Sequence, residues 1–449
     1  MKRYRIIGNY SSDSVTVNEA ENYDEITVPL ITDGEFSCFG MDHVLNLLRK
    51  KNIFPSENAF DLMALALLVY IADTRISRNE HGQDSWTREI YVELPVKSLP
   101  EWNRNIDRLN RMLKFLTGDI WYISFNERTV TLDFSEAEKT VDYNVISLFS
   151  GGMDSLISTI NLQEEGKNVL LAAHANEGLV KNAQRNIVQR LDERYTNTRH
   201  SLIDLWTSIP KDLIFEGGEE NTTRSRSFLF IAFAIFIASG TATIKELLVP
   251  ENGLIAINVP MDSMRVGAHS TRTTHPFYLS CWNELLCDLE FGLSIRNPYW
   301  NKTKGEMAAG CLNKDFLYQL MPLSMSCSSP GKERYQGIAP QHCGYCLPCI
   351  IRRAAMNRAF GEDNTTYANI SVSKMIEARQ QEKGVQMRSI QYAIERVKED
   401  PEFAKYAVFK PGPLINDKGY IKELAGVYQR GLMEVEQWIH DSLEKENAN

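Results

Sequence analysis

The sequence predicts a doubly wound parallel α/β domain over residues 141–360, an α+β domain over residues 1–140 ahead of it and a helical extension over residues 361–449 behind it. Three patterns predict this. Beyond residue 141, near-continuous apolar runs alternate with helical stretches, which implies a parallel sheet covered on both faces. Before it, residues 88–95 and 121–125 alternate apolar with polar side chains as half-buried strands do, while residues 62–72 and 106–116 repeat at helical spacing. After about residue 356 the chain is charged and helical in pattern, through residues 390–398 and 428–445, interrupted by Pro411-Gly412-Pro413-Leu414.

Length agrees with three units, since 449 residues at roughly 150 per domain give about three. Hydrophobic residues at 43% and charged residues at 24% supply a core and exclude a disordered or fibrous chain. Lysine plus arginine is 49 against 58 acidic residues, a net charge of −9, which opposes sequence-independent attraction to nucleic acid. The first residues carry positive charge but only Ile6 and Ile7 as an apolar pair, so they lack the apolar region of a secretory signal. The longest apolar runs, residues 62–72 and 228–238, are shorter than the roughly 18 needed to cross a bilayer. A cytoplasmic protein without a membrane span is expected.

The N-terminal domain shows no phosphate-binding glycine turn, and His81 in its polar stretch reads as a solvated loop residue. The α/β part then reads in order: a strand at 145–149 and a helix to about 165; a strand at 169–174 and a helix at about 177–195; a strand at 200–206, a polar loop and an apolar helix from about 225; a fourth strand near 247. Ligands of such sheets bind at the carboxyl ends of the strands, so chemistry is expected just after Phe149, His174 and Trp206.

After the first of these strands comes Phe149-Ser150-Gly151-Gly152-Met153-Asp154-Ser155. Small residues let the backbone turn sharply and aim amide hydrogens at an anion, and the following helix adds its positive end. This is a cradle for phosphate or pyrophosphate. It has neither the Lys-Ser/Thr ending of a Walker loop nor a GxGxxG pattern. The plainer reading, a turn with Ser150 or Asp154 capping the helix, is disfavoured by the strand before it and the helix after it.

Four of the eight cysteines crowd together, Cys343, Cys346 and Cys349 at three-residue steps and Cys327 upstream. Four thiolates suit tetrahedral zinc, and a redox pair fits less well because the pair is tripled. His342 offers an alternative to Cys327, but four sulfurs make the simpler set, and a closed set is structural.

Ser-Gly-Gly-x-Asp-Ser after the first strand resembles the PP-loop of the N-type ATP pyrophosphatases. Together with the cysteines and Arg352, the chain resembles the QueC family, the 7-cyano-7-deazaguanine synthases, over about residues 141–360. Arg226 heading a helix, and Lys304 and Glu306 in Pro298-Tyr-Trp-Asn-Lys-Thr-Lys-Gly-Glu-Met, are further matches. The resemblance implies a PP-loop fold that splits ATP between the α and β phosphates. Ser150, Gly151, Gly152 and Ser155 would hold pyrophosphate, Asp154 would place magnesium, and Asp154, Arg226 and Lys304 would carry the catalysis. His174, in the alanine-rich end of the second strand, would lie near adenine. Cys327, Cys343, Cys346 and Cys349 would bind zinc. The acceptor would be 7-carboxy-7-deazaguanine, whose adenylated carboxylate ammonia converts to an amide and then, after a second activation, to a nitrile.

There are departures. Ser227 stands where the family usually has asparagine, and the gap from Cys327 to Cys343 is long. The family's substrate loop is replaced by residues 264–276, in which Arg272 and His275 offer a cation and an imidazole for a carboxylate or purine-like edge. A hydroxyl-rich loop that stabilises itself is the plainer alternative. With the added N-terminal and C-terminal parts, the chain resembles the enlarged QueC-like proteins of bacterial anti-phage systems, the QatC group in particular. The altered loop and the added parts would admit an amine on a protein partner from the same defence system as the nucleophile beside ammonia. Two other classes remain, a PP-loop tRNA-modifying enzyme and a nucleotide-binding defence scaffold without turnover; the acidic charge disfavours the first.

Overall fold

The computed structural model describes all residues except 1–2, 11–15, 20–22, 32–35, 37, 84, 132–141, 176, 210–219, 221–223, 262–271, 333, 335–336, 379–380, 416 and 449. Its first sheet joins β1 (Arg3–Asn9), β2 (Thr16–Glu19), β3 (Tyr23–Pro29), β4 (Glu89–Val96) and β5 (Ile120–Glu127) in the order β2-β3-β1-β4-β5. Only β2 runs antiparallel to its neighbour. The N-terminal part is therefore mostly parallel α/β rather than the segregated α+β expected. The reason is its connections: helix α1 (Glu57–Arg75) crosses from β3 to β4 and α2 (Ile106–Thr117) from β4 to β5, and a helical crossover returns the chain in parallel.

The second sheet holds β6 (Val145–Leu148), β7 (Val169–His174), β8 (His200–Leu205), β9 (Glu246–Leu248) and β10 (Ser294–Arg296), all parallel, in the order β10-β9-β6-β7-β8. The expected strands and helices are there: α3 (Met153–Glu164) follows β6, α4 (Gly178–Arg194) follows β7 and α5 (Arg226–Ser239) follows β8. Winding reverses between β6 and β9, and a crevice opens at the carboxyl ends of the strands at such a switch point. Beyond β9 come α6 (Gly253–Ile257), α7 (Pro276–Asp288), α8 (Lys304–Ala309), α9 (Leu347–Phe360) and, after shorter helices, α10 (Lys418–Asn447).

Helices α1 and α5 are apolar around nearly their whole circumference, as helices enclosed on all sides must be. They pack on each other between the sheets, with Phe60 and Phe236 at 4.8 Å edge to face. One buried cluster runs from Tyr4, Ile6 and Val92 through Leu65 and Phe233 to Ile146, Leu170 and Ile203, so the two sheets share a core. The other face of the second sheet, Val145, Val169 and Leu171, meets Leu156 and Ile160 of α3 and Ile187 of α4. A further cluster unites α6, α9, α10 and the cysteines. Among the described residues, no helix is long and apolar enough to cross a membrane.

Candidate functional site

The turn from β6 into α3 lies at the switch point. Gly151 takes φ +80°, a left-handed conformation that favours glycine. Serine hydroxyls stitch the turn: Gly152 N donates to Ser150 Oγ (3.3 Å), Ser155 Oγ donates to Gly152 O (3.0 Å), and the two hydroxyls lie 3.3 Å apart. Gln184 of α4 donates to Phe149 O at 3.1 Å, and Met325 N donates to Gly151 O at 2.8 Å. Ser150, Gly151, Gly152 and Ser155 thus converge on the N-terminus of α3, the place where an anion meets unpaired amides and the helix dipole.

Asp154 and Lys304 come together beside this turn. Both are buried, with Lys304 Nζ 3.2 Å from Asp154 Oδ1. Asp154 Oδ2 accepts from the backbone and the side-chain amide of Asn252 at 3.1 and 2.8 Å, while among the described residues Oδ1 accepts no hydrogen bond and faces the lysine. Asn252 is fully buried and also caps α6 through Ile255 N. Glu251 precedes it, its carboxyl bonded by Thr274. Loss of solvent raises this carboxyl to about 7; Thr274 opposes the rise, Asp154 adds to it and Lys304 opposes it. Sequence reasoning missed Glu251, Asn252 and Thr274 as members of this group. The signal was the end of β9, one more carboxyl end at the switch point.

Lys304 opens α8, whose first turn is a capping box of Thr303 and Glu306. Glu306 therefore serves the helix and pairs with Arg430 of α10 at 2.7 Å. From α10, buried Glu434 accepts from Gly305 N at 3.2 Å and from Thr303 Oγ1, and pairs with Arg358. The C-terminal extension thus grips both neighbours of Lys304.

Arg226, the first residue of α5, donates from Nε to His174 Nδ1 (3.2 Å) and from Nη2 to His174 O (2.9 Å). The ring proton of His174 consequently sits on Nε2, facing Thr207 Oγ1 at 3.2 Å. Burial, then Arg226, pushes the imidazole down to about 3, so it is neutral and its free lone pair is taken. His174 orients the arginine; it is no base. The ring of Tyr70 of α1 meets His174 edge to face at 6.1 Å. One residue before Arg226, Ser225 N donates to Asp73 Oδ2 of α1 at 2.8 Å. Asp73 belongs to a buried quartet with Arg78, Arg88 and Asp119, in which Arg88 Nη2 lies 2.8 Å from Asp73 and 2.7 Å from Asp119. The N-terminal part, without chemistry of its own in the sequence, anchors the arginine.

Arg272 donates to Phe115 O at 2.5 Å and lies over the Phe115 ring. His275 is fully buried and caps α7, its Nδ1 accepting from Phe277 N at 3.2 Å. Arg272 thus meets α2 of the N-terminal part and His275 the first turn of α7, while their neighbour Thr274 reaches Glu251. Residues 262–271, including Ser270 of the expected substrate loop, lie outside the described residues.

The sulfurs of Cys327, Cys343, Cys346 and Cys349 all lie within 4.8 Å of one another. Cys327 Sγ is 3.9 Å from Cys346 Sγ, and Cys343 Sγ is 4.0 Å from Cys349 Sγ. Sulfurs about 2.3 Å from a tetrahedral zinc stand about 3.8 Å apart, so the cluster could hold a metal ion such as zinc. His342 is not among them: its Nε2 accepts from Ser326 N at 3.3 Å. Arg352 is fully buried and ties α9 to Ser324 Oγ (2.9 Å), Met321 O (2.6 Å) and Thr365 Oγ1 (3.0 Å). No known family model matches the chain, and a search of curated proteins finds no similar sequence.

Proposed function

We propose that the chain is an ATP-dependent adenylating enzyme of the PP-loop kind, similar to the 7-cyano-7-deazaguanine synthases and serving a bacterial anti-phage system. The observation that carries this reading is the glycine turn at the switch point with the buried Asp154–Lys304 pair beside it. Pyrophosphate would lie along Ser150, Gly151, Gly152 and Ser155, with Lys304 and Arg226 countering its charge. Asp154 fits a magnesium ligand, because among the described residues Oδ1 accepts no hydrogen bond and faces only the charge of Lys304. When bound, the ion would offset charge on the departing pyrophosphate.

A carboxylate is a poor electrophile. Its oxygen attacks the α phosphorus, pyrophosphate leaves, and the acyl-adenylate that results has AMP as a good leaving group. Ammonia, or an amine on a protein partner, then forms the amide, with release of AMP and a proton. The residues contribute position and charge: the turn orients the leaving group, and Arg226, fixed by His174, has one terminal nitrogen with no acceptor among the described residues for the ligand. The four cysteines would hold zinc in a structural role.

The test is to incubate the purified protein with ATP, 7-carboxy-7-deazaguanine and either ammonium or the protein encoded beside it, and to follow AMP and the mass of each acceptor. Acid-dependent AMP with an amide, nitrile or protein conjugate is expected. Folded, metal-loaded protein whose AMP release ignores the acid would remove the deazaguanine assignment.

A further inference from the structure

We infer that Ser326, the residue before Cys327, donates its hydroxyl proton directly to the phosphate groups held by the glycine turn, making the cysteine-bearing segment a wall of the nucleotide site. This assignment rests on the nucleotide-binding reading above.

Segment 325–327 lies against the turn. Met325 N donates to Gly151 O at 2.8 Å, and Met153 N, at the start of α3, donates to Ser326 Oγ at 3.3 Å. A β-carbon placed on Gly152 would lie 3.4 Å from that same Oγ. The hydroxyl is thus beside the first turn of α3, where the glycine turn would hold an anion.

Proton accounting does the rest. A serine hydroxyl has two acceptor lone pairs and one proton to give. One lone pair takes Met153 N–H; the other takes Nη1–H of Arg352 at 3.3 Å. Arg352 is fully buried and held by three further acceptors, and a guanidinium only donates, so it is a fixed donor. With both lone pairs filled, the O–H finds no acceptor among the described residues, and Ser326 is partly exposed where a ligand can reach it. A hydroxyl polarised by a guanidinium is a better donor to an anion. The wall is anchored from behind: Ser326 N is bonded to His342, and the sulfur of Cys327 accepts from Ser329 N (3.4 Å) and Cys343 N (3.3 Å). The known motif of serines and glycines does not include this residue, which comes from far along the chain.

The experiment is calorimetric titration of the full chain with inorganic pyrophosphate and with ATP, for the wild type, Ser326→Ala and Ser326→Thr, with metal content and melting temperature measured alongside. Removing one hydrogen bond to a charged group predicts pyrophosphate binding weakened about tenfold or more in Ser326→Ala, and retained in Ser326→Thr. Hydrogen exchange of wild-type residues 325–328 is expected to slow on adding pyrophosphate, a readout that stands even where the alanine variant does not fold. Wild-type affinity in Ser326→Ala at full metal content, or exchange of this segment unmoved while pyrophosphate binds, overturns the assignment and leaves the nucleotide reading intact. A wild type that binds neither pyrophosphate nor ATP removes both.

Discussion

Replacing Gly151 with alanine isolates the glycine turn from the rest of the site. At φ +80° a β-carbon costs about 1–2 kcal/mol. That carbon would stand 3.0 Å from Cγ of Gln184, tight enough that the side chain must give way. Gln184 holds Phe149 O, and loosening that bond adds about 1 kcal/mol. The total, about 2–3 kcal/mol, is a tolerable loss of stability for a chain of this size. The larger effect is on geometry, because a misplacement approaching 1 Å at a positioned group costs about a hundredfold in rate. Gly361 is the control: it ends α9 at φ +75° with nothing within 4 Å of an added β-carbon, so Gly361→Ala carries the backbone cost alone. Thermal unfolding and AMP release are read for both variants. The expected result is a lower melting temperature in both variants, somewhat lower in Gly151→Ala through Gln184, with AMP formation lost only in Gly151→Ala. Equal AMP formation in the two variants would refute the idea that the turn holds the phosphates.

Other consequences follow from the neighbouring groups. Asp154→Ala is expected to abolish AMP release, and Lys304→Met to lower it by about 10²–10³-fold, both with metal content intact; unchanged turnover would take either residue out of the chemistry. Cys346→Ser should lower bound metal and melting temperature together, measured by elemental analysis and thermal unfolding, and a variant with full metal content would remove that ligand. Burial, then Arg272, holds His275 down at about 3, so the unfolded chain takes up this proton first as pH falls. Stability is complete above about pH 6.5 and is lost towards pH 3, by about 2 kcal/mol at about pH 5 from this residue alone. His275→Asn keeps an acceptor for Phe277 N without the titration, so its denaturation midpoint should fall less between about pH 7.5 and about pH 5; equal falls would contradict the account.

The second sheet was legible because both its faces are buried, which leaves strands as unbroken apolar runs such as Val169–His174 between helices. Three of the cysteines were legible from spacing, since short steps along a turn bring sulfurs within metal distance, while Cys327 over His342 rested on four sulfurs making the simpler set. β1 escaped notice although Tyr4, Ile6 and Gly8 are buried and Arg3 exposed, because one of its three core positions is a glycine and the alternation reads weakly. Glu251 and Asn252 follow β9, a strand of three residues whose end is hard to place, yet the carboxyl-end rule applied after Leu248 points to both. Glu306, matched together with Lys304 in the resemblance, is occupied by the capping box that Thr303-x-x-Glu306 spells. Ser326, Glu434 and Asp73 gain their roles only from tertiary contact, across separations in sequence that no local pattern reports.

The most direct test of the central claim is which bond of ATP breaks. Incubating the metal-loaded full chain with ATP labelled at the α phosphate, magnesium and the deazaguanine acid, and separating the products, decides it. Cleavage between the α and β phosphates, giving labelled AMP with inorganic pyrophosphate in equal amounts, is the result the account predicts. Labelled ADP with inorganic phosphate, or ATP left intact by folded protein, would contradict it.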